Sequence, residues 1–157
     1  MGGNMFLAVF AAISMAAAPN PVCAGTLSGS VKGSFECEVS VVKNEEGQMF
    51  LVITPRAPID GVPSYVPGSF EITGLLTPGK YTLDDLGTGR ASVAAEGGTL
   101  YTATKTTGQR GEVSLVLKSV QEDSSRKGGY RLHGSYRARL LPAGGGKSGE
   151  VTIAVEF

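Results

Sequence analysis

Apolar and polar residues alternate with a period of two along most of this chain, and clusters of turn-forming residues interrupt the alternation at short intervals. Thr26 to Val42 reads as one long strand or two short ones, with Gly29 and Gly33 at bulge or bend positions. Phe35, Cys37, Val39 and Val41 share one face of that run, while Glu36, Glu38 and Ser40 take the other. Lys43 to Gly47 is a turn. Met49 to Thr54 (MFLVIT) is continuously apolar, as expected of a central strand covered on both faces. Pro55 to Ser69 carries Pro55, Pro58, Pro63 and Pro67 with Gly61 and Gly68, and is expected to stay outside any sheet ladder.

Phe70 to Leu76 opens the second half, and Thr77-Pro78-Gly79-Lys80 turns it into a short run at Tyr81 to Leu83. Arg90 to Glu96 and Thr99 to Lys105 flank Gly97-Gly98, a two-residue hairpin signal. Glu112 to Glu122, Tyr130 to Leu141 and Gly149 to Phe157 complete the strands, separated by Asp123 to Gly129 and Pro142 to Ser148. No segment has a helical period with caps. The pattern predicts an all-β domain of about eight to ten strands, an antiparallel β-sandwich or flattened barrel. Its expected core is Val31, Phe35, Val39, Val41, Phe50, Val52, Phe70, Ile72, Tyr81, Leu115, Leu117, Leu132, Tyr136, Leu140, Val151, Ile153, Val155 and Phe157.

The first 24 residues differ in kind. Met5 to Ala18 is an apolar run of 14 residues without Asp, Glu, Lys or Arg, matching the h-region of a signal peptide and short of the roughly 20 residues a membrane span needs. Pro19, Asn20 and Pro21 break it, and Val22-Cys23-Ala24 offers a peptidase its small residues. The expected division is a signal peptide at 1–24 cut after Ala24, then a single domain at 25–157 in a periplasmic or secreted setting. A cut after Ala18 would leave Pro19 at the new terminus, a poor substrate geometry.

About 133 residues then remain, enough for one core. They hold all 14 basic and all 14 acidic side chains, and this neutrality argues against nucleic-acid binding or attachment to a membrane surface through a basic patch. Twenty-one of the 23 glycines lie there too, which favours turns and strands over helices. With Cys23 removed, Cys37 packs as a buried thiol; a Cys23–Cys37 bridge and a reactive thiol are the alternatives.

Candidate chemistry concentrates in YRLHGSYRARLL, where Arg131, His133, Ser135, Arg137 and Arg139 alternate onto one face. Arginine forks match carboxylates and phosphates, so the stripe predicts an anionic ligand or an anionic region of another cell-envelope protein as partner. The competing reading pairs Arg139 with Glu150 and His133 with Glu156 across a hairpin with the last strand. A second contact surface is offered by the Pro-rich loop, with Ile59, Val62, Tyr65 and Val66 as apolar contacts; the competing reading has Tyr65 and Val66 plug one end of the sandwich.

No catalytic motif, cofactor signature or metal-ligand spacing is present: His133 has no nucleophile elbow beside it, and Asp84-Asp85 lacks the spaced carboxylates of a calcium loop. A hydrolase built on His133 is the enzyme alternative. A small outer-membrane barrel is another, because Val151, Ile153, Val155 and Phe157 alternate toward a terminal aromatic and the charged face could line a polar lumen.

The runs GTLSGSVKGSFECEV, GEVSLVLKSV, GGYRLHGSYRARL and GEVTIAVEF together resemble small exported or lipoprotein-like bacterial β-sandwich domains of uncharacterised function. The resemblance implies the fold class and the compartment, and it brings no catalytic residue. The sequence therefore predicts an exported, non-catalytic binding or structural module without a cofactor and without stable membrane insertion.

Overall fold

The computed structural model describes residues 23–105, 110–126, 128–144 and 149–157. Ten strands form: β1 Cys23–Gly29, β2 Gly33–Lys43, β3 Met49–Pro55, β4 Ser64–Ile72, β5 Gly79–Thr82, β6 Leu86–Ala94, β7 Leu100–Thr104, β8 Glu112–Glu122, β9 Tyr130–Pro142 and β10 Val151–Glu156. All pairings are antiparallel. Eight strands close into a barrel in the order β10-β1-β2-β3-β4-β6-β7-β9, and β9 returns to β10. β8 hydrogen-bonds to β9 and β5 to β8, a two-stranded branch on the barrel wall.

The all-β expectation holds, while the two-layer sandwich gives way to a closed cylinder. Alternation looks the same in both architectures, because each gives every strand one dry face. What decides is the pairing of the chain ends: β1 lies between β2 and β10, and β10 lies between β1 and β9. No sheet edge survives there to pack as a separate layer.

The barrel interior is filled. Phe70, Leu51, Ile53, Leu86, Leu115, Leu117, Leu140 and Ile153 are among its largest fully buried side chains, and small residues such as Ala91, Ala103 and Ala138 alternate with them. Charged residues face outward, including Glu36, Glu38, Arg137 and Glu156. This is the reverse of a bilayer-spanning barrel, whose outer band is apolar.

Three segments depart from their expected form. In MFLVIT the inward pair is Leu51 and Ile53, while Phe50 and Val52 lie half-buried on the outer face, so one face alone is covered. The phase comes from the partner strand: Val41 sits opposite Leu51 and Val39 opposite Ile53, and directly paired residues point the same way. Val39 and Tyr81, also expected in the core, are only partly buried against it.

β4 incorporates Pro67 and Gly68, against the expectation of a loop through Ser69. The register toward β6 jumps from Val66↔Ser92 to Ser69↔Arg90, a bulge in which Pro67 needs no ladder hydrogen bond. Between β6 and β7, Gly98 N–H donates to the Ala95 carbonyl at 3.1 Å, so the turn encloses Glu96-Gly97 rather than the two glycines.

The Pro-rich loop packs over one end of the barrel: Val62 is buried, Ile59 packs against the core over Gly33, and Tyr65 stands edge-on to Phe35 with ring centroids 5.4 Å apart. The Tyr65 hydroxyl donates to the Ala57 carbonyl at 2.7 Å.

Cys37 is not a free thiol. It is disulfide-bonded to Cys23, directly opposite it on β1, with both residues buried. β1 therefore spans the boundary expected after Ala24.

Two outcomes test this architecture. Chemical denaturation of Cys37→Ser should show a loss of about 3 kcal/mol for a bridge of sequence separation 14, matched by the wild type under reductant. Leu51→Ala should cost roughly 2–5 kcal/mol, and Val52→Ala well under that, in the same assay.

Candidate functional site

The basic stripe forms as predicted on the outer face of β9, where Arg131, His133, Ser135, Arg137 and Arg139 alternate with buried Leu132, Gly134, Tyr136, Ala138 and Leu140. Its members do not form one site. Arg131, at the start of the strand, is held by Asp123 at 3.0 Å, and Arg126 reaches the same carboxylate at 3.5 Å. His133 is exposed opposite Ser119, and its imidazole makes no hydrogen bond among the described residues. Tyr65, on β4, lines a separate shallow depression with Pro55, Pro58 and Pro63.

Arg137 and Arg139 do come together, in an open groove of about 590 Å³ over β5, β8, β9 and β10. Its floor follows from strand register. Thr82, Ser114, Arg137 and Ala154 form one cross-strand row, and Glu112, Arg139 and Thr152 form the next. A bulge in β8 makes these rows possible: Leu117 pairs with Gly134 and Ser119 with His133, leaving Lys118 as the extra residue. Without it Glu112 would fall opposite Leu140, and the charged face of β8 would miss the charged face of β9.

The register to β10 differs by two residues from the one expected. Thr152 rather than Glu150 lies opposite Arg139, and Ser135 rather than His133 lies opposite Glu156. An even shift keeps every side chain on its face. The same register brings Phe157 opposite Gly134, with Gly134 N–H donating to the Phe157 carbonyl at 2.7 Å, so the terminal aromatic meets a residue without a side chain. Glu150 still reaches Arg139 diagonally at 3.0 Å, and Glu112 accepts from the same guanidinium at 3.0 Å. Glu112 first, then Glu150, hold Arg139 protonated even more firmly than a free arginine.

The far wall is the β5–β6 connection. Asp85 accepts hydrogen bonds from the Thr82 N–H (2.7 Å) and hydroxyl (2.9 Å), which hold its carboxyl below the usual range. Lys105 donates to the carbonyls of Leu86 (2.9 Å) and Asp84 (3.3 Å), and Arg110 pairs with the Asp84 carboxylate at 2.5 Å. Gly111, at φ +67°, lets the chain entering β8 run close over the Arg139 carbonyl, where a side chain would collide.

Of the groove's three arginines, Arg110 and Arg139 are committed to carboxylates, and Arg137 forms no ion pair among the described residues. Its neighbours are hydroxyls, Ser114 across the strand pair and Thr82 and Thr152 nearby in the lining. The site thus offers one uncompensated guanidinium among hydrogen-bonding groups that both donate and accept. Arg110, Asp84, Glu112, Ser114 and Thr82 escape a reading of the YRLHGSYRARLL strand alone; the outward parity of Glu112 and Ser114 in GEVSLVLKSV was the available signal. No group of histidine, cysteine, aspartate and glutamate suited to a metal ion occurs among the described residues.

No protein-family model, curated protein sequence or solved structure matches this chain.

At the opposite end of the stripe, Asp123 is held below the ordinary carboxylate range chiefly by the Ser125 hydroxyl, with Arg131 adding to it. A depressed folded pKa stabilises fully above the unfolded value of about 3.9 and loses that contribution as pH falls through the folded value. Denaturation midpoints followed from pH 6 downward should therefore show Asp123→Asn less stable than wild type near neutrality, with the gap closing as pH falls below the ordinary aspartate value.

Proposed function

We propose that this chain is an exported, non-catalytic binding module that takes an anionic group, carboxylate or phosphate, over Arg137 on its outer face. The observation that carries the reading is the contrast within one groove: Arg110 and Arg139 have carboxylate partners, and Arg137 stands exposed among hydroxyls with none among the described residues. An arginine left without a counter-ion in a lined depression is matched by a ligand that brings one.

Two features favour this reading over its rivals. His133 lies on an exposed strand face with no hydrogen-bonded acid or nucleophile among the described residues, which removes the partners a hydrolase needs. The outward charges and filled apolar interior weigh against an outer-membrane barrel, because lipid would meet arginines and glutamates. Export is supported by the apolar run at Met5 to Ala18 and by the Cys23–Cys37 disulfide, a bond that persists in oxidising compartments.

Titration of isotope-labelled protein with citrate and with inorganic phosphate tests the site. The amides of Ser114, Arg137 and Thr152 should shift in the wild type and stay unmoved in Arg137→Ala, whose melting temperature should equal that of the wild type. Shifts that persist in Arg137→Ala, or that are absent from the wild type with both anions, would refute the proposal.

A further inference from the structure

We infer that the export leader is cut upstream of Cys23, after Ala16, and not after Ala24. The inference rests on the export reading above and refines it. Three observations around the start of β1 carry it.

Cys23 is spent in the fold: its sulfur is bonded to Cys37, and the residue is buried. A cut after Ala24 would discard it and leave Cys37 as a lone thiol. Ala24 is also structural, since it pairs with Glu36 on one side and Glu156 on the other. Gly25, finally, is a buried position lying so close beneath the Phe35 ring that even a Cβ would collide with it. Hydrolysis of the Ala24–Gly25 bond would strip β1 of its first two residues and their pairings to β2 and β10, and would start the chain at a glycine packed under the Phe35 ring.

Upstream, Ser14-Met15-Ala16 presents small residues at the first and third positions before the bond, with Ala17 following it. Water adding across the Ala16–Ala17 peptide bond leaves Ala17 as the new terminus, six residues ahead of Cys23. Cleavage after Ala18 would instead require Pro19 in the leaving position. The same geometry excludes a lipid on Cys23 in the folded protein, because a thioether and the bond to Cys37 compete for one sulfur.

The test is intact-mass measurement of the full chain expressed in an exporting bacterial host, after fractionation and thiol alkylation under denaturing conditions. The expected product lies in the envelope fraction, begins at Ala17, and takes up no alkylating agent until it is reduced, when it takes up two. A product beginning at Gly25 with one reactive thiol, or one carrying lipid at Cys23, overturns the inference while leaving export intact. An uncut chain in the cytosolic fraction overturns the export reading and this inference with it. A second measurement is independent of the host's peptidase: a foreign leader joined to Ala17 should give a folded product that resists protease, and the same leader joined to Gly25 a product that melts lower. Equal melting temperatures for the two would count against the inference.

Discussion

Everything in this fold hangs on one strand hydrogen-bonded along both of its edges. β9 meets β10 through residues 135–140 on one side, and on the other meets β8 through 130–139 and β7 at 141–142. It is at once the seam of the barrel and the root of the β8–β5 branch. Its inward side chains, Leu132, Tyr136, Ala138 and Leu140, are buried, while its outward ones supply the arginines of the groove. Burial on one face holds the strand in phase, and that phase alone presents the arginines to solvent.

The groove is a product of branching. A plain eight-stranded barrel would expose Arg137 and Arg139 on a convex wall, with little to enclose a ligand. The added strands β8 and β5 extend that wall, and the β5–β6 connection is tied back by Lys105 and Arg110 to rise along one side. The electrostatics is then settled by register: Arg139 is flanked by Glu112 and Glu150, and Arg137, two residues earlier, by Ser114 and Ala154. Tyr136, between them, points inward, where burial raises its phenol far above the usual range and keeps it neutral.

Much of this was legible in the chain. β8 and β9 run almost where alternation placed them, and the outward set on β9 is the predicted one. Legibility failed where a local pattern admits two solutions. MFLVIT has apolar residues in both phases, and only the pairing with Val39 and Val41 selects Leu51 and Ile53. A proline reads as a strand breaker, yet a bulge accommodates Pro67 within β4. The spacing of Leu115, Leu117 and Val120 in LVLKSV, two residues and then three, encodes the bulge at Lys118 that aligns Glu112 with Arg139. Closure into a cylinder has no local signature, because it depends on pairing between residues more than a hundred positions apart, such as Leu27 with Ile153.

That last pairing has a consequence for how the chain comes to be folded. The first strand is flanked by the last one, so the ring is incomplete until the final residues have emerged, and any shorter nascent piece keeps two open strand edges. Such a polypeptide carries unpaired backbone for as long as it is being made, and the cylinder can shut only once β10 is there to join β1 to β9.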